Sequence, residues 1–187
     1  MINKTEFFFA TRSFIALIGL TLMFSACKKD DPKPVNEEEV ITTLNVVLTP
    51  SGGGIPVTLK FQDQDGDGSV APVKTVSGPL NANKTYTGVI TLQDESRAVV
   101  KDITPEVEEE AEDHLFCFAV TGSNLTVAAA DTDANSLPIG LTSNWVTTTA
   151  GNASIKITLR HQPGTKTGTC PGTGETDVEV DFSLTIQ

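Results

Sequence analysis

Three aspartates at alternate positions, Asp63, Asp65 and Asp67, sit in the segment DQDGDGS with Gly68 and Ser69 directly behind them. Carboxylates spaced in this way are hard oxygen ligands suited to Ca²⁺. They take the first, third and fifth positions of a calcium loop, Gly68 supplies the sharp turn at the sixth, and the carbonyl of Ser69 serves at the seventh. Lys74 stands where the closing Glu of an EF-hand loop belongs, so further ligands would come from elsewhere in the fold. The same residues also make an ordinary Asp/Gly hairpin turn, with Asp accepting from backbone amides and Gly taking positive φ. Asp131, Asp133 and Asn135 repeat the alternation with Ser136 in place of the glycine, and read as a plain turn.

The acidic run Glu106, Glu108, Glu109, Glu110, Glu112 and Asp113 could gather cations, although like charges in sequence read first as solvated surface. His114 follows the run directly, and His161 is the only other histidine. Each stands at the end of an apolar alternating segment and reads as a half-exposed polar residue, and no Cys or His spacing matches a zinc site. Catalysis would call for a nucleophile with its base, opposed carboxylates or a cofactor fingerprint. The chain has no G-x-S-x-G, no H-E-x-x-H, no P-loop and no G-x-G-x-x-G after a strand, so the expectation is a protein that is not an enzyme.

Cys27 closes the apolar tract FIALIGLTLMFSA, Phe14 to Ala26, which follows Lys4 and Arg12 and ends in the small residues Ser25 and Ala26. This is the pattern of a secretory signal over residues 1–26. The tract falls short of the roughly 20 apolar residues that span a bilayer. Phe24-Ser25-Ala26-Cys27 resembles a bacterial lipobox, which implies cleavage before Cys27 and acylation of that cysteine with palmitate-type chains. Several chains anchor stably where one is marginal, at about 0.8 kcal/mol per buried methylene. Lys28-Lys29-Asp30-Asp31 resembles the export signal of surface lipoproteins of Bacteroidota-type bacteria, implying display on the outer membrane facing outward; retention facing the periplasm is the alternative. Pro32, Pro34 and Glu37 to Glu39 make residues 27–39 a lipidated, flexible tether.

The compartment so implied permits disulfides. A bridge between Cys117 and Cys170 would close a long loop and stabilise by roughly 4 kcal/mol in the chain-entropy model. The alternative is a small buried thiol at Cys117, inside the apolar run from His114 to Val120.

Residues 40–187 are enough for one domain with a real core. The signal segment carries Lys4, Arg12 and Glu6, a net +1, so its removal takes the formal charge from −11 to −12. A polyanion of this kind lacks the clustered Lys and Arg that phosphate contacts need, which excludes nucleic acid as a partner.

The elements that must position these residues read as strands. Val178, Val180, Phe182, Leu184 and Ile186 alternate with Glu179, Asp181, Ser183 and Thr185, and Val57, Leu59 and Phe61 alternate with Thr58, Lys60 and Gln62. Further strands are expected over 40–49, 73–77, 85–93, 115–120, 125–130, 139–148 and 154–161, separated by Gly/Asp/Ser turn clusters. The expected fold is all-β, an immunoglobulin/fibronectin III-like sandwich of about 8–9 antiparallel strands. Leu80 followed by Tyr86 resembles the tyrosine corner of those domains, with Ala82 in place of the intervening proline. Thr104 and Pro105 can open a short helix before the acidic run, with Thr104 as its cap.

The stretches GGGIPVTLKFQDQDGDG, NANKTYTGVITL, DTDAN and ETDVEVDFSLTIQ resemble small surface or envelope lipoproteins of Bacteroidota-type bacteria with no settled function. Such families sometimes carry the labels type 1 periplasmic-binding fold or GTP cyclohydrolase. The chain is too short and too strand-rich for the two α/β lobes of the first, and it lacks the metal-binding Cys and His of the second. The resemblance implies a lipid-anchored binding or interaction module that meets the membrane through Cys27 and a surface ligand through its sandwich. A Ca²⁺-dependent module using Asp63, Asp65, Asp67 and Ser69, and an envelope enzyme acting on glycans, are the alternatives.

Overall fold

Alternation of apolar and polar residues turns one side of the longer strands toward a core, and the computed structural model has ten strands and one short helix among the described residues. The structure describes residues 39–63, 65, 66 and 69–187. Strands β1 (Thr43–Pro50), β2 (Val57–Gln62), β3 (Val73–Val76) and β4 (Thr85–Asp94) pair antiparallel in the order β3-β2-β1-β4. Three hairpin-linked strands with a fourth returning beside the first make a Greek key. Beyond β4 the sheet continues through β8 (Thr142–Thr147) to β7 (Leu125–Ala129), and β5 (Lys101–Asp102) pairs with the end of β4, giving seven strands. The second sheet has three, in the order β10 (Glu175–Ile186), β9 (Gly151–His161), β6 (His114–Thr121). The all-β sandwich expected from the sequence is therefore present, and the strand beyond the expected count is β5, whose two residues are too few to leave a pattern.

The two inner faces meet in one core. Leu44, Val46, Leu48, Leu59, Ile90 and Leu92 of the large sheet are at most 1% exposed, as are Ile155, Ile157 and Leu159 of the small one. Phe118 and Trp145 meet edge to face at 6.5 Å between ring centroids, which joins β6 to β8 across the layers. Trp145 needs room on the neighbouring strand. A Cβ on Gly88 would lie 2.6 Å from its Nε1 and 2.8 Å from Ser143 Oγ, so only glycine fits there. The indole N–H donates to Ser143 Oγ at 2.9 Å, which satisfies the one polar atom of an otherwise apolar side chain.

Tyr86 is buried, and its hydroxyl accepts a hydrogen bond from the Asn81 amide at 2.7 Å. This is the upstream backbone contact of a tyrosine corner, formed without the proline. The C-terminal strand is built in as the sequence suggests: Leu80 donates to Thr185 at 2.9 Å, Gln187 to Leu80 at 2.9 Å and Ala82 to Gln187 at 2.7 Å, so the chain end ties the two sheets together.

The helix α1 (Thr104–Glu109) buries Val107 and carries Pro105 in its first turn. Thr104 does not cap it. Ile103 holds the cap position without a side-chain bond, and Thr104 Oγ1 instead accepts from the Leu92 amide at 2.9 Å, because β4 offers an unpaired amide just beyond its pairing with β5.

Candidate functional site

Asp67 lies outside the described residues, as do Cys27 and residues 28–38. Asp65 turns back on its own loop, its Oδ2 accepting from Ser69 Oγ and the Val70 amide, each at 2.7 Å. Those bonds are of the kind that an Asp-capped turn makes. Asp131 and Asp133 also cap a turn: Asp131 accepts from Gly140 at 2.6 Å and Thr142 at 2.8 Å, and Asp133 accepts from Asn135 and Leu137, each at 2.9 Å. The second oxygen of Asp133 takes Lys166 Nζ at 2.7 Å, and both side chains are buried. Burial pushes the Asp133 carboxyl up, but the hydrogen bonds from Lys166, Leu137 and Asn135 outweigh it and hold its pKa below the ordinary value.

Cys117 and Cys170 are joined in a disulfide that spans 53 residues, with their Cα atoms 5.6 Å apart. Cys117 faces outward from the small sheet while Phe116 and Phe118 face in, so the bridge straps the Gly-rich connection between β9 and β10 over the outer face of that sheet.

The two histidines stand differently from a half-exposed reading. His114 opens β6, His161 closes β9, and the two are register partners whose rings stack at 4.7 Å and 14°. Both are buried, His114 completely. They share the inward phase of Phe116, Phe118 and Val120 on β6 and of Leu159, Ile157 and Ile155 on β9. That phase was visible in the sequence and is the signal that places them under the sheet end.

Two carboxylates converge on His114. Its Nδ1 lies 3.1 Å from the Glu110 carbonyl oxygen, which can only accept, so Nδ1 carries the hydrogen. Its Nε2 lies 3.2 Å from Glu39 Oε2 and 3.8 Å from Asp177 Oδ2. Glu39, at the end of the segment read as tether, thus docks on the domain. Asp177 arrives through a register shift between Thr176 and Val178, where β10 gains a residue against β9. Such a bulge re-aims a side chain. Without it, Asp177 would share the outward phase of Glu179 and Asp181. Burial raises the Asp177 pKa to about 6, with Glu39 adding to the rise and His114 opposing it. Burial works against a charge on His114, yet the Glu39 and Asp177 carboxylates prevail and raise its pKa.

A second candidate surface is the outward face of the large sheet. Its rows run Thr49, Thr87, Asn144, Ala128 across β1, β4, β8 and β7, with Val47, Val89, Thr142 on one side and Thr85, Val146, Thr126 on the other. None of these is charged, although the chain carries a net charge of −11. The outward face of the small sheet, by contrast, carries Lys156, Arg160, Glu179 and Asp181.

These features define an all-β sandwich of ten strands with a buried histidine–carboxylate cluster at one end of its smaller sheet. Comparison of the chain with family models, with curated proteins and with solved structures finds no match in any of the three.

Proposed function

We propose that this protein is a small, lipid-anchored, non-enzymatic surface lipoprotein of the Bacteroidota type, held to the outer membrane by acylated Cys27 and acting as a binding or interaction module. The observation that carries the binding role is the uncharged outward face of β1, β4, β8 and β7. Depletion of charge marks the central part of interfaces, where desolvating Lys or Glu would be costly. Strand propensity alone accounts for Thr and Val on that face. It does not account for the difference from the small sheet, which carries acidic and basic side chains on the outward face of its strands. A sandwich whose sheet edges lie away from its broad face presents such a surface without exposing backbone. The lipobox-like segment before Cys27 and the acidic, Pro-containing stretch after it support display on the membrane.

Photo-crosslinking on intact cells tests the reading. A crosslinker placed at Thr87, in the middle of the uncharged face, is expected to capture a surface ligand, whereas one placed at Asp181 on the opposite face is not. Equal capture at the two positions, or none at Thr87, overturns the assignment of that face.

A further inference from the structure

We propose that Glu39, His114 and Asp177 form a binding site for a divalent transition metal of the Zn²⁺ type, closed by the segment that enters the domain. Two carboxylate oxygens face one imidazole nitrogen in a buried space at the end of the small sheet. His114 Nε2, Glu39 Oε2 and Asp177 Oδ2 are each buried, with both oxygens within ion-pair range of Nε2, yet none is satisfied by a well-directed hydrogen bond, and one carboxylate oxygen from each acid and the imidazole nitrogen lie within 4.8 Å of one another. Buried polar atoms are almost always hydrogen-bonded. Three of them facing one point is the arrangement that a cation resolves.

The geometry admits a metal in the place of the Nε2 proton. At 3.2 Å, the Glu39 oxygen is within ion-pair distance of Nε2 without completing a hydrogen bond of good geometry. A tetrahedral metal with His and carboxylate bonds of about 2.0–2.2 Å separates its ligand atoms by roughly 3.4 Å. The observed 3.2 and 3.8 Å from Nε2 bracket that value. The outer arrangement fits as well. A ligating histidine commonly donates its other ring N–H to a backbone carbonyl, which fixes the tautomer with a lone pair on the metal side. Here Nδ1 is bonded to the Glu110 carbonyl oxygen and the ring is stacked on His161, so Nε2 is fixed toward the two carboxylates.

One imidazole and two carboxylates favour Zn²⁺ among common divalent ions, since imidazole suits Zn²⁺ while all-oxygen sets suit Ca²⁺ and Mg²⁺. Three protein ligands leave a fourth position open to water or to an added ligand. The site would also be a clasp: Glu39 precedes β1, His114 opens β6 and Asp177 lies near the start of β10, so one ion would join the entering segment to both edges of the small sheet.

The test is calorimetric titration of ZnCl₂ into the chelator-treated, untagged full-length protein, beside His114→Gln and Asp177→Asn, with Co²⁺ absorption as the spectroscopic check. The expected results are binding of one Zn²⁺ per chain, a tetrahedral Co²⁺ spectrum, and a loss of more than about 100-fold in affinity in either variant, beyond what loss of an outer partner costs. Circular dichroism identifies a variant that fails to fold, in which case the other decides. No stoichiometric Zn²⁺ binding by the folded wild type, or unchanged affinity in a folded variant, overturns the site. Either result leaves the uncharged face and its crosslinking test untouched.

Discussion

Lys166 Nζ donates to Asp133 at 2.7 Å and to the Ala111 carbonyl at 2.7 Å, with the Lys166 side chain 2% and the Asp133 side chain 0% exposed. One buried ammonium thus ties three connections together: the turn after β7, the turn before β6 and the loop between β9 and β10. Lys166→Met removes the cation and leaves a buried carboxylate supported by two backbone amides. It is expected to cost about 3 kcal/mol in denaturant unfolding, and the double variant with Asp133→Asn to recover part of that.

The same pair sets a pH dependence. The Asp133 pKa is lowered in the folded chain, so its contribution is present above the unfolded value near about 4 and is lost as pH falls through the folded value. Unfolding free energy measured from neutral to acid pH should fall less steeply in Asp133→Asn than in the wild type. An identical slope would remove Asp133 from the account of acid sensitivity.

The bridge between Cys117 and Cys170 closes a loop with a sequence separation of 53. In the chain-entropy model this constraint on the unfolded state is worth about 4 kcal/mol. Replacing both cysteines with alanine should lower Tm by roughly 10 °C, and reductant should do the same to the wild type and nothing to the variant.

Gly88 tests the packing of the large sheet. Its added Cβ would approach Trp145 Nε1 at 2.6 Å and Leu48 Cδ2 at 3.1 Å, both fixed by the core. Gly88→Ala is expected to destabilise by about 2 kcal/mol through overpacking, with a change in Trp145 fluorescence. A neutral substitution would mean that the indole moves freely.

How much of this was legible follows from what each feature depends on. The strands were legible because alternation is local: the Val178 to Ile186 series alone places β10 and its buried side. The tyrosine corner was legible from the Leu80 and Tyr86 spacing, and the turn at Asp131 and Asp133 from its alternating acids. The cluster at His114 was not. Its members come from the segment before β1, from β6 and from β10, and they meet only through the pairing of His114 with His161 and the shift at Asp177. Pairing register and a bulge are set by tertiary packing, which no local pattern reports. Lys166 was hidden in the same way, since nothing near it in sequence announces a buried partner 33 residues away.

The proposed display of this domain at the membrane through Cys27 is tested most directly by protease treatment of intact Bacteroidota-type cells expressing the wild type and Cys27→Ser. The wild type is expected to fractionate with the outer membrane and to be lost on treatment of whole cells, while Cys27→Ser leaves the membrane fraction. Fractionation of both with the soluble contents, or a wild type fully protected in intact cells, would contradict it.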